Sequence, residues 1–112
     1  MQLQSELFTN LDSDAFAEAL VAKESGALID VRTPQEFARG HIPGAVNYDI
    51  SDPSFPVEVR KLPREDEYYL YCRSGARSLT ACQLMGVLGF FHLFNLKDGI
   101  VSWNGPLEKA DE

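Results

Sequence analysis

A chain of 112 residues, 45% of them hydrophobic and 24% charged, has the size and make-up of one soluble globular unit, so residues 1–112 are expected to form a single domain. Its formal net charge of −7 argues against nucleic acid and anionic membranes as partners. Two cysteines, Cys72 and Cys82, are too few for a disulfide scaffold, and His41 and His92 stand at no metal-ligand spacing from them, which argues against a metal site.

At the N-terminus, "MQLQSELFTN" lacks the basic-then-apolar order of a secretory signal. No apolar run approaches the ~18 residues of a membrane span, and the expected location is cytoplasmic. A first short strand is expected to start at "ELF". A helix follows in "LDSDAFAEALVAKES", with Asp12 or Ser13 as N-cap, Phe16, Ala19, Leu20 and Lys23 at helical spacing, and Gly26 as C-cap. "ALIDV" (27–31) is short, apolar and β-branched, the pattern of a buried strand. "TPQEFARG" predicts a second helix, with Thr33 as N-cap, Pro34 at its first position and Glu36 three residues after the cap. "HIPG" is a turn, "AVNYDI" a further strand, and "FPVEVRKLP" a short helix with Phe55, Val59 and Leu62 on one face, stopped by Pro63. "EYYLYC" is the next strand. After it, "RSLTACQLMGVLG" predicts a helix turning Leu79, Cys82, Leu84, Met85 and Leu88 inward, with Gly89 at its end. "FHLFNL" is a last strand, "DGIVSW" a turn into a short segment, and the polar end "EKADE" is expected to fray. Strands alternating with helices predict an α/β domain whose mainly parallel sheet is covered on both faces. Ligands of such sheets sit at the carboxyl ends of strands, which is where Cys72 falls.

The stretch "YCRSGARS" (71–78) carries the chemistry. A free thiol has a pKa of about 8.5 and is mostly protonated at neutral pH. Here Cys72 opens a loop that runs into a helix N-terminus, where backbone N–H groups and the helix dipole favour negative charge. Arg73 and Arg77 add positive charge, Gly75 permits a positive φ, and Ser78 can cap the helix or donate its hydroxyl to sulfur. Such a cradle makes Cys72 a nucleophile and stabilises an anionic adduct on it. Cys82 lies on an apolar helical stripe and is expected to be a packed core thiol.

"LIDVRTPQEFARGHIPGAVN" (28–47), "YCRSGARS" (71–78) and "LKDGIVSW" (96–103) resemble, in order and spacing, the single-domain rhodaneses, and the resemblance runs over nearly the whole chain. It implies a three-layer α/β/α fold around a five-stranded, mainly parallel sheet. It also implies sulfur transfer through a cysteine persulfide without metal or organic cofactor. By the resemblance, Cys72 carries the persulfide, and Arg73, Ser74, Gly75, Ala76, Arg77 and Ser78 form the loop whose amides surround the sulfur. Arg73 stands where members using thiosulfate often carry a basic residue. Ser74 departs from members with a second basic residue there, which counts against thiosulfate as the natural donor. Asp30, Arg32 and Glu36 match a charged cluster that orients loops and arginine side chains, or serves as a salt-bridge network with a helix cap. His41 matches a histidine that is usually structural, Asp98 replaces the first glycine of a Gly-Gly pair, and Trp103 suits a core or pocket wall.

The expected function is therefore transfer of sulfane sulfur from a small sulfur-containing anion such as thiosulfate to a thiol or cyanide, with another protein as a possible sulfur donor or acceptor. Phosphatases that share the fold use a loop one residue longer than the Cys–x4–Arg found here, and a tetrahedral phosphate needs that wider ring of amides. Phosphatase chemistry thus ranks below sulfur transfer. A non-catalytic binding or regulatory module is the second reading, and retention of Cys72 weighs against it.

Overall fold

The chain alternates local signals for helix and strand, and the computed structural model, which describes residues 7–109, turns that alternation into five strands and four helices. They run β1 (Thr9–Leu11), α1 (Ser13–Ala22), β2 (Ala27–Asp30), α2 (Pro34–Arg39), β3 (Val46–Asn47), α3 (Phe55–Val59), β4 (Glu67–Tyr71), α4 (Ala76–Val87) and β5 (His92–Leu96), with a 3-10 turn at Ile100–Ser102. Every strand pairing is parallel, in the order β1-β5-β4-β2-β3, so β4 is the central strand.

Side chains of β4 alternate between two cores. Tyr68, Leu70 and Cys72 face Phe55 and Val59 of α3 and Ala81, Cys82 and Met85 of α4. Tyr69 and Tyr71 face Phe16 of α1, with Trp103 packed against that second cluster. Helices on both faces complete the three-layer α/β/α architecture, and this explains why β4 is apolar at successive positions rather than at every second one. Among the described residues no helix is long and apolar enough to cross a membrane.

Local capping sets the helix starts. Asp12 accepts from the Ala15 N–H at 2.9 Å to open α1. Thr33 and Glu36 close a reciprocal capping box around Pro34 to open α2.

Four expectations need correction. The first strand starts later than "ELF": Glu6 lies outside the described residues, and pairing with β5 begins at Thr9, where an edge position suits the polar Thr-Asn-Leu. "AVNYDI" contributes only Val46 and Asn47 as paired strand residues: beyond them the chain stays tied to the end of β2 by Tyr48 N–H to the Asp30 carbonyl and Ile50 N–H to that of Val31 (2.9 and 3.1 Å), and by the Asn47 amide to the carbonyls of Asp30 and Arg32 (3.0 and 2.9 Å). Leu79 is not in the core, since α4 turns Ser78, Ala81, Cys82 and Met85 inward instead. α1 ends at Ala22 with Lys23 as its C-cap, short of Gly26. Of the two polar termini, residues 1–6 and 110–112 lie outside the described residues, whereas Glu108 is tied down by reciprocal backbone bonds to His41, both 2.9 Å.

Candidate active site

β4 delivers Cys72 to the carboxyl edge of the sheet, 1% exposed and on the α3–α4 side. The chain then reverses through Gly75, whose φ of +102° belongs to the left-handed region. A Cβ at Gly75 would lie 2.0 Å from the Lys97 carbonyl oxygen, so backbone from the β5 end closes one side of the loop. The reversal aims donors at sulfur. Cys72 Sγ accepts the Gly75 N–H at 3.1 Å, the Ser78 N–H at 3.4 Å and the Ser78 hydroxyl at 3.4 Å. Burial pushes the thiol pKa up. Donation from the Ser78 hydroxyl and from the Ser78, Gly75 and Ser74 amides outweighs it, leaving Cys72 below the ordinary thiol value.

The arginines act differently from the sequence expectation. Arg73 is exposed, and Arg77 places both terminal nitrogens on the Glu36 carboxylate at 2.9 and 3.1 Å. Neither is a leading cause of the lowered Cys72 pKa, which comes from hydroxyl and amide donors. Hydrogen bonding to Arg77 holds Glu36 at about 2, and pairing with Glu36, aided by the nearby Cys72 sulfur, raises Arg77. Ala76, exposed, starts α4.

Asp30 and Arg32 form a second closed pair. Arg32 Nη2 donates to Asp30 Oδ2 at 2.6 Å and to the Gly40 carbonyl at 2.7 Å, and its guanidinium lies 5.7 Å from the centre of the Tyr71 ring. Both members are buried. They brace the start of α2 and the Gly40 turn, and neither touches the sulfur. Of the residues singled out from sequence, the structure thus gathers Ser74, Gly75 and Ser78 around Cys72, places Glu36 and Arg77 as a clamp beside it, and sets Asp30 and Arg32 beneath the neighbouring loop.

His41 Nδ1 meets the Phe37 carbonyl at 3.0 Å, its ring stacks on Phe37 at 3.8 Å, and Nε2 lies 3.4 Å from Glu108. Trp103 packs edge-on to Phe16 at 6.3 Å. Cys82 is fully buried, and burial drives its pKa far upward.

One part of the site escaped the sequence. The Ile100 N–H donates to the Cys72 carbonyl at 2.9 Å and the Val101 N–H to that of Arg73 at 3.2 Å. Gly99, at φ +76°, permits this, since a Cβ there would stand 2.1 Å from the Arg73 oxygen. The available signal was the glycine in "KDGIV". A cleft of about 350 Å³ abuts this junction, walled by Arg32, Glu36, Arg39, Arg73, Val101 and Leu107 among others.

The rhodanese-like domain family matches residues 13–106. A protein of Allochromatium vinosum named sulfurtransferase is 34% identical over 97 residues, covering 87% of this chain and 89% of that protein. A rhodanese-like domain protein of Staphylococcus aureus superposes with a TM-score of 0.77 at 25% identity, over 90% of this chain and 97% of that one. A rhodanese with anions from E. coli has a TM-score of 0.64 at 25% identity and covers 77% of this chain and all (100%) of its own. With the match running from the first residue of α1 past the last strand, this chain belongs to the rhodanese-like domain family.

Proposed function

We propose that this chain is a single-domain sulfurtransferase that carries sulfane sulfur as a persulfide on Cys72. The observation that carries the reading is the set of three donors, Gly75 N–H, Ser78 N–H and Ser78 Oγ, converging on a buried sulfur at 3.1–3.4 Å. Such donors favour a thiolate at neutral pH, and a thiolate is the attacking species in exchange at sulfur.

In the first half-reaction the Cys72 thiolate attacks the outer sulfur of a donor such as thiosulfate. The new S–S bond forms as the old one breaks, and its electron pair leaves with sulfite. In the second, a thiolate or cyanide takes the outer sulfur and the electron pair returns to Cys72 Sγ. Each half-step exchanges bonds at sulfur without net oxidation, so the chemistry requires no metal or organic cofactor. Donor recognition falls to Arg73, the exposed charge nearest Cys72 in the chain, and a relative is known with anions. Glu36 and Arg77 hold α2 against α4, and Asp30 with Arg32 holds the turn behind them.

Commitment of both Arg77 terminal nitrogens to Glu36 favours this reading over phosphoryl chemistry, which would want that guanidinium for a phosphate. Sulfur exchange with thiols also fits the reducing cytoplasm expected for the chain.

Intact-protein mass spectrometry after incubation with thiosulfate tests the proposal. The wild type is expected to gain one sulfur atom and to lose it again to cyanide, while Cys72→Ser gains none. A folded wild-type protein that takes up no sulfur from thiosulfate or inorganic polysulfide would leave the binding-module reading in its place. Ready hydrolysis of p-nitrophenyl phosphate would leave the phosphatase reading.

A further inference from the structure

The cleft beside the cysteine loop has a charge balance unlike the rest of the molecule. Its wall holds three arginines and one glutamate, in a chain whose net charge is −7. Two of those four charges are spent internally: Arg32 on Asp30, and Glu36 on Arg77. Arg39, in the last turn of α2, and Arg73, in the cysteine loop, are both exposed, and neither forms an ion pair among the described residues. Glu108, next to the wall residue Leu107, has its carboxylate 3.4 Å from His41 Nε2. Among the described residues, the cleft therefore presents two positive charges outside any ion pair.

Its remaining wall is aliphatic, with Ile100, Val101 and Leu107. Its volume of about 350 Å³ lies in the range of small organic ligands, ~300–1,000 Å³, and an anion as small as thiosulfate fills only part of it. Screening confines the two charges to a reach of ~8 Å. An acidic protein would meet the −7 of the whole chain across a wide interface, whereas a small molecule inside the cleft meets mainly the local pair.

We infer that Arg39 and Arg73 together select a small thiol acceptor that carries two carboxylates on a short aliphatic frame, making Arg39 a specificity-determining residue for the second half-reaction. This rests on the persulfide reading above. The acceptor thiolate attacks the outer sulfur of Cys72–S–SH. A bond forms between the two sulfurs, the bond to Sγ breaks, its electron pair restores the Cys72 thiolate, and the acceptor departs as a persulfide. The carboxylates take no part in the chemistry. They fix the acceptor against the two guanidinium groups with its methylenes on Val101 and Leu107.

The test uses full-length protein loaded with sulfur from thiosulfate, or from inorganic polysulfide if thiosulfate does not load it, and freed of excess donor. Loss of the sulfur mass is then followed with mercaptosuccinate and, separately, with 2-mercaptoethanol. The quantity read is the ratio of the two second-order rate constants, which divides out differences in loading between variants. Arg39→Glu and Arg73→Glu are each expected to lower that ratio roughly tenfold or more. Arg39→Lys should retain most of it. Arg60→Glu, the same charge change on an exposed residue outside the cleft, should leave it unmoved. Added salt should depress the ratio for the wild type and much less for Arg39→Glu. A ratio unchanged by both reversals, or lowered equally by Arg60→Glu, overturns the inference while leaving the persulfide intact. Failure of Cys72 to load from either source overturns the proposed function, and this inference with it.

Discussion

Ser78 has one hydroxyl proton and two acceptors within reach, the Gly75 carbonyl at 3.3 Å and Cys72 Sγ at 3.4 Å. With Cys72 neutral the carbonyl is the better acceptor. With Cys72 charged the sulfur is, so ionisation asks only for a rotation about one bond. Ser78→Ala should therefore raise the pH midpoint of Cys72 alkylation by iodoacetamide toward the free-thiol value of about 8.5 and slow sulfur transfer roughly tenfold, as one buried donor is lost. An unmoved midpoint would mean that the amides alone set the thiolate. The two cysteines should separate cleanly. Cys72→Ser is expected to abolish transfer, whereas Cys82→Ala, at a fully buried thiol held neutral by its surroundings, should keep most of it at a stability cost of about 1 kcal/mol. Comparable loss of activity in both folded variants would contradict the assignment.

Between elements, the Glu36–Arg77 pair ties α2 to α4 across 41 positions of sequence. Glu36 is depressed from 4.5 to about 2, chiefly by its bond to Arg77. Because the folded value lies below the unfolded one, the pair stabilises the protein fully above about 4.5 and loses that contribution as pH falls toward 2. Glu36→Gln is thus expected to cost about 1 kcal/mol in urea unfolding at neutral pH, with the gap to wild type closing steadily in acid. A gap independent of pH would show that packing, not charge, is what the variant loses. Gly99→Ala should cost more, about 2–3 kcal/mol, and impair sulfur loading although Cys72 is untouched, because its Cβ collides with the carbonyl that follows the cysteine. This contrast also explains what was legible in the sequence. The Thr33–Pro34–Glu36 box is written within four residues and could be read directly, and the cap of α1 could be narrowed to Asp12 or Ser13. The role of Gly99, the partner of Arg77 and the shortness of β3 depend on segments that meet only after folding. The start of β1 is hard to read because an edge strand of Thr-Asn-Leu carries no hydrophobic pattern, and Leu79 is left aside because the buried face of α4 runs through Ser78, Ala81, Cys82 and Met85.

Over the whole molecule, the alternating layers were readable because both faces of the sheet are covered, and continuous apolar runs such as "EYYLYC" follow from that cover. α1 enters its core mainly through Phe16, fully buried and edge-on to Tyr69 at 5.7 Å and to Trp103 at 6.3 Å. Phe16→Ala should cost about 3–5 kcal/mol, a large share of the ~5–15 kcal/mol typical of a domain, and should lower the thermal midpoint accordingly. A small change would mean that α1 contributes little to the cooperative unit. The order β1-β5-β4-β2-β3 also places the strand bearing Cys72 at the centre, flanked by β2 and β5, with the three-residue β1 and the two-residue β3 at the margins. Partial openings of a sheet begin where few neighbours hold the chain, so the margins should exchange their amide hydrogens early and β4 last. Rising temperature or mild denaturant then loosens the periphery while the platform under the sulfur stays closed. Catalytic competence should fade only with the final cooperative collapse, making sulfur uptake a reporter of global rather than local unfolding.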